Sequence, residues 1–352
     1  MNLPFNCELH FVNSPHLYQI YDGFKKLEKK KIINLSIKKN GNNYGSSKKP
    51  LLEVLFKNEY KIIYDTLDGL NWFNGPEKDN LEYFRDNFSA DFYFKRSYCE
   101  EIQNYKPEGC KVFPLGLFYR LKPEEKLPST FKQRIKYFLN EMPLLSGYLS
   151  EEKFSSDYFE HYPVPNKNLK ILFLARLWSP KKVKQELFKE ETYRINSNRI
   201  AFIRKCKKEF PERFLGGLQD NSYTREISKD LIMPKSITNK KNYLQAVKNH
   251  DICISTMGLF ESIGGKFGEY VAASRAIVSE PLRYQVPGKF IAGENYLTFY
   301  DSDQLIENIY SLIEDRDLLS KMMINNYHYY NNYLRPDSLI LNTLLKVEAL
   351  TQ

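Results

Sequence analysis

Two glutamates eight positions apart, in Glu261-Ser-Ile-Gly-Gly-Lys-Phe-Gly-Glu269, have the types and spacing to do chemistry. The first lies in a glycine-rich loop and the second on the helix which that loop opens. A strand at Asp251–Ser255 precedes the segment and another at Ala276–Ser279 comes after it, so the whole reads as one βαβ unit. In such a unit the helix N-terminus offers unpaired N–H groups and a positive dipole end to an anion, usually a phosphate. A carboxylate one turn further along can accept hydrogen bonds from ribose or sugar hydroxyls. The expected ligand carries both phosphate and polyol.

A second constellation lies upstream, in Leu174-Ala-Arg176-Leu177-Trp-Ser-Pro-Lys181-Lys182. Arg176 and Lys181 leave the carboxyl end of an apolar strand expected at Leu169–Leu174. An Arg and a Lys five positions apart in one loop can clamp a diphosphate, the Arg bidentately and the Lys as a point charge. Solvated basic residues after a strand are the plainer alternative. In the first half, Asp65 and Asp68 of the segment YDTLDG could touch an acceptor hydroxyl, or Asp68-Gly69 is a turn. Trp72, Phe73, Tyr83 and Phe84 form either an aromatic acceptor wall or core. Asp301-Ser-Asp303 precedes a helix and reads as its cap. His161, His250 and His328 have no partner spacing that suggests a metal site.

These residues need strands and helices to hold them. The first half alternates strand signals (Leu9–Asn13, Ile32–Ile37, Leu52–Phe56, Lys61–Tyr64, Phe92–Lys95, Lys111–Phe113) with helices at His16–Lys30 and Leu81–Phe88. Such alternation predicts a parallel sheet with right-handed crossovers. From Leu121 to Asn168 prolines punctuate the chain around a helix expected at Thr130–Asn140, and a boundary falls near Pro165. Alternation then resumes with the Leu169–Leu174 strand, helices at Ser197–Glu209 and Lys241–Asn249, a strand at Phe214–Leu218, and helices at Asp303–Ile313 and Leu318–Leu334. The expected class is α/β, with two Rossmann-like αβα domains facing a central cleft where strand ends meet. Their bounds are residues 1–165 and 166–334, with a C-terminal helix over 335–352 that could pack back on the first domain.

Composition narrows the options. With 352 residues, 42% hydrophobic and 15% aromatic, the chain can fill two cores. No run of about eighteen apolar residues exists, and the start lacks an export signal. Five scattered cysteines without CxxC spacing point to reduced thiols and a cytoplasmic setting. The net charge of +9 concentrates in short lysine clusters, such as Lys25 to Lys31 and Lys38–Lys39. A solvated helix face explains them, and peripheral contact with an anionic membrane is compatible with them. No nucleic-acid signature is present, nor a GxGxxG after an early strand.

Strand, Arg-Leu-x3-Lys, then Glu-x7-Glu about eighty residues later, resembles the C-terminal nucleotide-sugar domain of group 1 (retaining, GT-B fold) glycosyltransferases. Those enzymes typically show G-R-L-x3-K-G after the first strand of that domain. They also show E-x7-E leading into a helix that reads E-(A/Y)-x-A-x-G-x-P-(I/V)-(I/V). The resemblance spans roughly Lys170–Leu334; in the first half only Phe113-Pro-Leu-Gly116-Leu is similar, to a P-x-G-(V/L) strand exit. It implies that Arg176 and Lys181 neutralise the donor diphosphate, that Glu269 holds the ribose, and that Glu261 touches the donor sugar. Gly264, Gly265 and the N–H groups opening the helix at Lys266 would line the phosphate. His16 stands where relatives often place a histidine that meets the donor sugar; a surface histidine at a helix start is the alternative. Ala175, Lys182, Ser274 and Ala276 depart from the motif at Gly, Gly, Gly and Pro. What the resemblance implies is a metal-independent, retaining hexosyltransferase that needs no cofactor. Its donor would be a UDP- or GDP-sugar and its acceptor a glycan, lipid or protein. An epimerase acting on sugar nucleotides and a non-catalytic binder of sugar nucleotide or nucleic acid are the alternatives.

Overall fold

The computed structural model describes residues 4–38, 49–123, 154–183 and 186–352. The helix expected at Thr130–Asn140 lies outside the described residues. Two sheets organise the rest. The first contains β1 (Phe5–His10), β2 (Ile33–Lys38), β3 (Leu51–Phe56), β4 (Tyr60–Asp65), β5 (Phe92–Lys95) and β6 (Lys111–Pro114), in the order β2-β1-β3-β4-β5-β6. Helices α1 (Tyr18–Lys29) and α2 (Glu77–Asn87) belong to this half.

The expectation of a wholly parallel first sheet is corrected by β3, which runs antiparallel to both β1 and β4. Only three residues separate β3 from β4, too few for a crossover. Lys57 and Asn58, both left-handed at φ 56° and 60°, close the hairpin with the Glu59 N–H donating to the Phe56 carbonyl at 3.1 Å.

The second sheet is all parallel: β7 (Ile171–Ala175), β8 (Phe214–Leu218), β9 (Ile252–Ser255), β10 (Ala276–Ser279) and β11 (Leu297–Thr298), in the order β8-β7-β9-β10-β11. Strands β7, β9 and β10 are buried along their whole length, which is why they read as continuous apolar runs. Around them lie α3 (Leu187–Glu209), α4 (Lys240–Asn249), α5 (Gly265–Ala272), α6 (Ser302–Glu314) and α7 (Arg316–Tyr329). Asp301 caps α6 as the sequence suggested, its Oδ1 accepting from the N–H groups of Asp303 and Gln304 at 2.9 Å.

Both halves therefore have the α/β build of a GT-B-like pair, and the carboxyl ends of their strands face each other across a cleft. The last helix, α8 (Pro336–Thr351), returns to the first half. Its Leu339, Ile340, Leu344 and Val347 share one core with Leu17, Phe24 and the first sheet. Gly23 makes that crossing possible, because a Cβ there would lie 2.2 Å from the Pro336 carbonyl oxygen.

Three of the five lysines around α1 are held in ion pairs. Lys25 pairs with Glu28 at 2.9 Å, Lys26 with Asp22 at 3.2 Å, and Lys30 with Asp337 on α8. Among the described residues no helix is long and apolar enough to cross a membrane.

Candidate functional site

In the second sheet the chain passes from β7 to β8 on one side and later to β9 on the other, so the order reverses between β7 and β9. Open α/β sheets bind ligands in the crevice at such a reversal. Here a cleft of about 1200 Å3 opens there, walled on the other side by loops that leave the first sheet.

From the second half, Arg176 comes directly after β7. It is exposed and lines the cleft. The loop carrying it is held by Arg199, a buried residue of α3. Its guanidinium donates to the Arg176 carbonyl at 2.7 Å, to Thr256 Oγ1 at 2.9 Å and to the Met257 carbonyl at 3.1 Å, and it lies 4.3 Å over the Trp178 ring. Burial pushes Arg199 down to about 10, with Glu280 opposing. One side chain thus ties the loop after β7 to the loop after β9.

Gly264 ends the loop before α5 and supplies no side-chain cap, and Gly264, Gly265 and Lys266 line the cleft. A Cβ on Gly264 would meet nothing within 4 Å, so the cleft is open at this position. Gly268 serves differently: a Cβ there would sit 2.3 Å from the Phe118 carbonyl oxygen, so only glycine lets the two halves approach. Lys266 is half-buried, donates from Nζ to the Leu174 carbonyl, and lies 4.9 Å over the Tyr243 ring. Burial pushes its ammonium down to about 8, against the pull of Glu269.

Glu269, one turn into α5, is buried in the same cleft. Its Oε1 pairs with Lys240 Nζ, whereas Oε2 is covered and accepts no hydrogen bond among the described residues. A buried carboxylate oxygen without a donor costs about 1–3 kcal/mol or more, so a hydroxyl arriving there is favoured. Lys240 lies 5.0 Å over the Phe159 ring and 5.2 Å over Tyr243.

Two predicted residues stand elsewhere. Lys181 is exposed in a separate surface hollow beside α3, with Glu186 and Lys189. The helical turn Pro180–Lys182 beyond β7 carries it away from the strand end. Lys266 takes its place as the lysine near the glycines. Glu261 does not line the cleft either. Phe260 and Glu261 are both left-handed, at φ 61° and 52°, their N–H groups donating to the Glu191 carboxylate at 3.3 and 3.2 Å. That backbone aims the Glu261 carboxylate at Arg283, 2.8 Å away, and Arg283 also binds Glu77 of α2. Glu261 is thus part of a bridge between the halves and stands outside the cleft lining.

From the first half, His16, Asp68, Arg96 and Phe118 come after β1, β4, β5 and β6 and all reach the cleft. Asp68 is held by Arg96 Nη2 at 2.6 Å, and Gly69 beside it has φ 66°, so Asp68-Gly69 is a turn as well as cleft wall. Asp65 is not at the surface. It is fully buried and accepts from Trp72 Nε1 at 2.8 Å and Tyr93 OH at 2.6 Å, with Lys95 Nζ 3.3 Å away. Trp72 and Phe84 stack at 4.8 Å inside the same core, which removes them from an acceptor wall. No cluster of three or more His, Cys, Asp or Glu able to hold a metal occurs among the described residues.

Sequence reading missed Arg199, Lys240 and Arg96. Arg199 carried one signal: it precedes Phe202 and Ile203 by three and four positions, which puts an arginine on the buried face of a helix.

No family model and no curated protein matches the sequence. Among solved structures, Anabaena HepE in complex with UDP-glucose is 13% identical over 98% of each chain, with a TM-score of 0.46. The C-terminal domain of LpcC, a glycosyl transferase group 1 family protein from Francisella tularensis, is 14% identical over 51% of this chain and 98% of its own (TM-score 0.37). UDP-GlcNAc 2-epimerase from Neisseria meningitidis bound to UDP-GlcNAc is 17% identical over 73% of this chain and 62% of its own (TM-score 0.36). At these identities and scores they are likenesses only, and it is the residues of the cleft that bear on function.

Proposed function

We propose that this protein is a glycosyltransferase that moves a sugar from a nucleoside-diphosphate donor to a hydroxyl-bearing acceptor. The observation that supports it best is the grouping at the β7/β9 reversal. Arg176, Lys266 and the uncapped start of α5 gather positive charge, and the orphaned Oε2 of Glu269 lies one turn away. A diphosphate suits the first group and ribose hydroxyls suit the second.

In the reaction the C1–O bond to the β-phosphate breaks and its electron pair leaves with the nucleoside diphosphate. A new C1–O bond forms to the acceptor oxygen, whose proton is released. Negative charge grows on the departing diphosphate, and cations already in place stabilise it more than they stabilise the bound donor. Arg176 is the fixed cation, its loop braced by Arg199. Lys266 is the second, and the ribose docks on Glu269 Oε2 while Lys240 stays on Oε1. Retention at C1, a UDP or GDP moiety in the donor, and a glycan, lipid-linked or protein acceptor belong to the same proposal.

The first test is a thermal-shift panel of UDP, GDP, CMP and the corresponding sugar nucleotides, with NAD and DNA as controls, with and without EDTA. A stabilising shift by one nucleoside diphosphate that persists in EDTA is expected. No shift with any of them would overturn the proposal.

Glu269→Ala should weaken donor binding by about 10- to 100-fold, the worth of hydrogen bonds to a charged group, measured calorimetrically. Unchanged affinity would remove Glu269 from the ribose. Lys266, which acts as the protonated ammonium, imposes a pH dependence. The free protein's value of about 8 makes kcat/KM fall above that pH. Bound diphosphate favours the ammonium, so the corresponding limb of kcat should lie at higher pH. In Lys266→Arg the limb near 8 should vanish. Its persistence there would assign the titration to another group.

A further inference from the structure

The cleft carries more positive charge than a sugar nucleotide's diphosphate needs. Among the described residues, besides Lys122, which is engaged in other interactions, six Arg and Lys side chains and two carboxylates line it. The surplus is four charges, against about one negative charge per bridging phosphate. Both carboxylates are already spoken for, Asp68 by Arg96 and Glu269 by Lys240.

Arg120 carries part of it to the wall opposite α5, where Arg96 also stands. Arg96 is buried, fixed by Asp68 at Nη2 and by the Phe118 ring 4.6 Å from its guanidinium carbon. Its Nη1 is covered and donates to nothing among the described residues. Phe118 in turn packs on the start of α5, its ring carbons 3.3 Å from where a Gly265 Cβ would stand. Arg96 therefore stands one ring's breadth from the helix end. The His16 ring stacks on the same Phe118 at 5.7 Å, and Arg120 is exposed in the cleft without an ion pair among the described residues. Burial first, then Arg96 and Arg120, hold His16 toward its neutral form, with Asp68 opposing.

A neutral hexose is gripped through hydroxyls, for which carboxylates are good acceptors. Among the described residues, Glu261 beside the cleft turns its carboxylate to Arg283, and the Glu191 carboxylate accepts from the Phe260 and Glu261 N–H groups. The cleft wall carries instead an arginine, Arg96, with an unused N–H.

Resting on the donor reading above, we infer that the transferred sugar carries a carboxylate, making the donor a nucleotide-linked uronic acid whose acid group binds Arg96, with Arg120 adding longer-range attraction. Arg96 Nη1 would donate to a carboxylate oxygen, a charge-assisted bond that a neutral hydroxymethyl at the same carbon cannot match.

The test is titration calorimetry of the full chain at low ionic strength with donor pairs differing only at C6: UDP-glucose against UDP-glucuronate, and GDP-mannose against GDP-mannuronate. The acid of the pair with the accepted base should bind at least about tenfold more tightly. Arg96→Gln should bring that ratio close to one with little change in affinity for the plain nucleoside diphosphate. Arg96→Lys should keep part of the preference. Arg120→Gln, at an exposed position that folding tolerates, should lower the ratio less and make it less salt-dependent. A protein that binds UDP or GDP yet shows no preference for the acid overturns this inference and leaves the donor reading intact. Failure to bind either nucleoside diphosphate overturns both.

Discussion

Lys266→Ala should lower kcat by about 10²- to 10³-fold, the usual loss when one preorganised group that stabilises developing negative charge is removed. The ground-state donor carries less charge on the bridging oxygen than the transition state does, so donor affinity should fall much less than turnover. The ammonium sits near the glycine loop, is half-buried, and is held toward the cleft by the Leu174 carbonyl at the end of β7. Low local dielectric makes its charge count for more than that of an exposed lysine. The comparison that decides the matter is Lys181→Ala. Lys181 occupies the motif position but lies in the hollow beside α3, so its loss should leave kcat and donor affinity unchanged. Single-turnover rates and donor titrations on the two variants check this. Equal effects of the two changes, or a large one at Lys181 alone, would return the leaving-group role to the motif lysine.

Asp65→Ala should destabilise the fold by about 3–5 kcal/mol, the cost of breaking a buried ion pair on one side. Asp65 and Lys95 are both fully buried. Asp65 also accepts from the Leu67 N–H at 2.8 Å, and from Trp72 and Tyr93, so its removal strands the Leu67 N–H and the Tyr93 hydroxyl as well as the cation, while Trp72 Nε1 keeps the Tyr93 oxygen at 3.1 Å. The Lys95 ammonium, already held down by burial with Asp65 opposing, would lose its counter-charge. Urea unfolding tracked by the fluorescence of Trp72 and Trp178 together reads the loss directly. Removing Lys95 as well, with a methionine in its place, should recover part of it, since the stranded charge is then gone. Full stability with lost turnover would instead make Asp65 a group that touches substrate.

How much of the fold and the cleft was legible in the sequence depends on how local each feature is. Strands β9 and β10 and the helix between them lie within a residue or two of where the sequence puts them, because buried parallel strands announce themselves as apolar runs and glycine marks the loop. Ser274, which departs from the motif glycine, shows how side chains can override such a rule. It takes the left-handed position at φ 56°, and its Oγ donates to the His161 carbonyl at 2.8 Å. In the first half the antiparallel β3 was hidden, since strand signals of equal strength say nothing of direction and only the short Lys57–Glu59 connection does.

By itself, the sequence determined two αβα halves and one βαβ unit with a glycine-rich loop before its helix. It placed Arg176, Glu269 and the Gly264–Lys266 loop in one cleft, because these residues are set by the strand ends and helix start that immediately adjoin them. Only the tertiary structure decided which charges keep them company. Arg199, Lys240 and Arg96 arrive from elements far along the chain, and no local pattern encodes that meeting. Glu261 and Lys181 kept the motif spacing and lost the motif place. Two consecutive left-handed residues turn one aside and a proline-led turn carries off the other. Spacing along a chain becomes direction in space only when the backbone between the residues is regular.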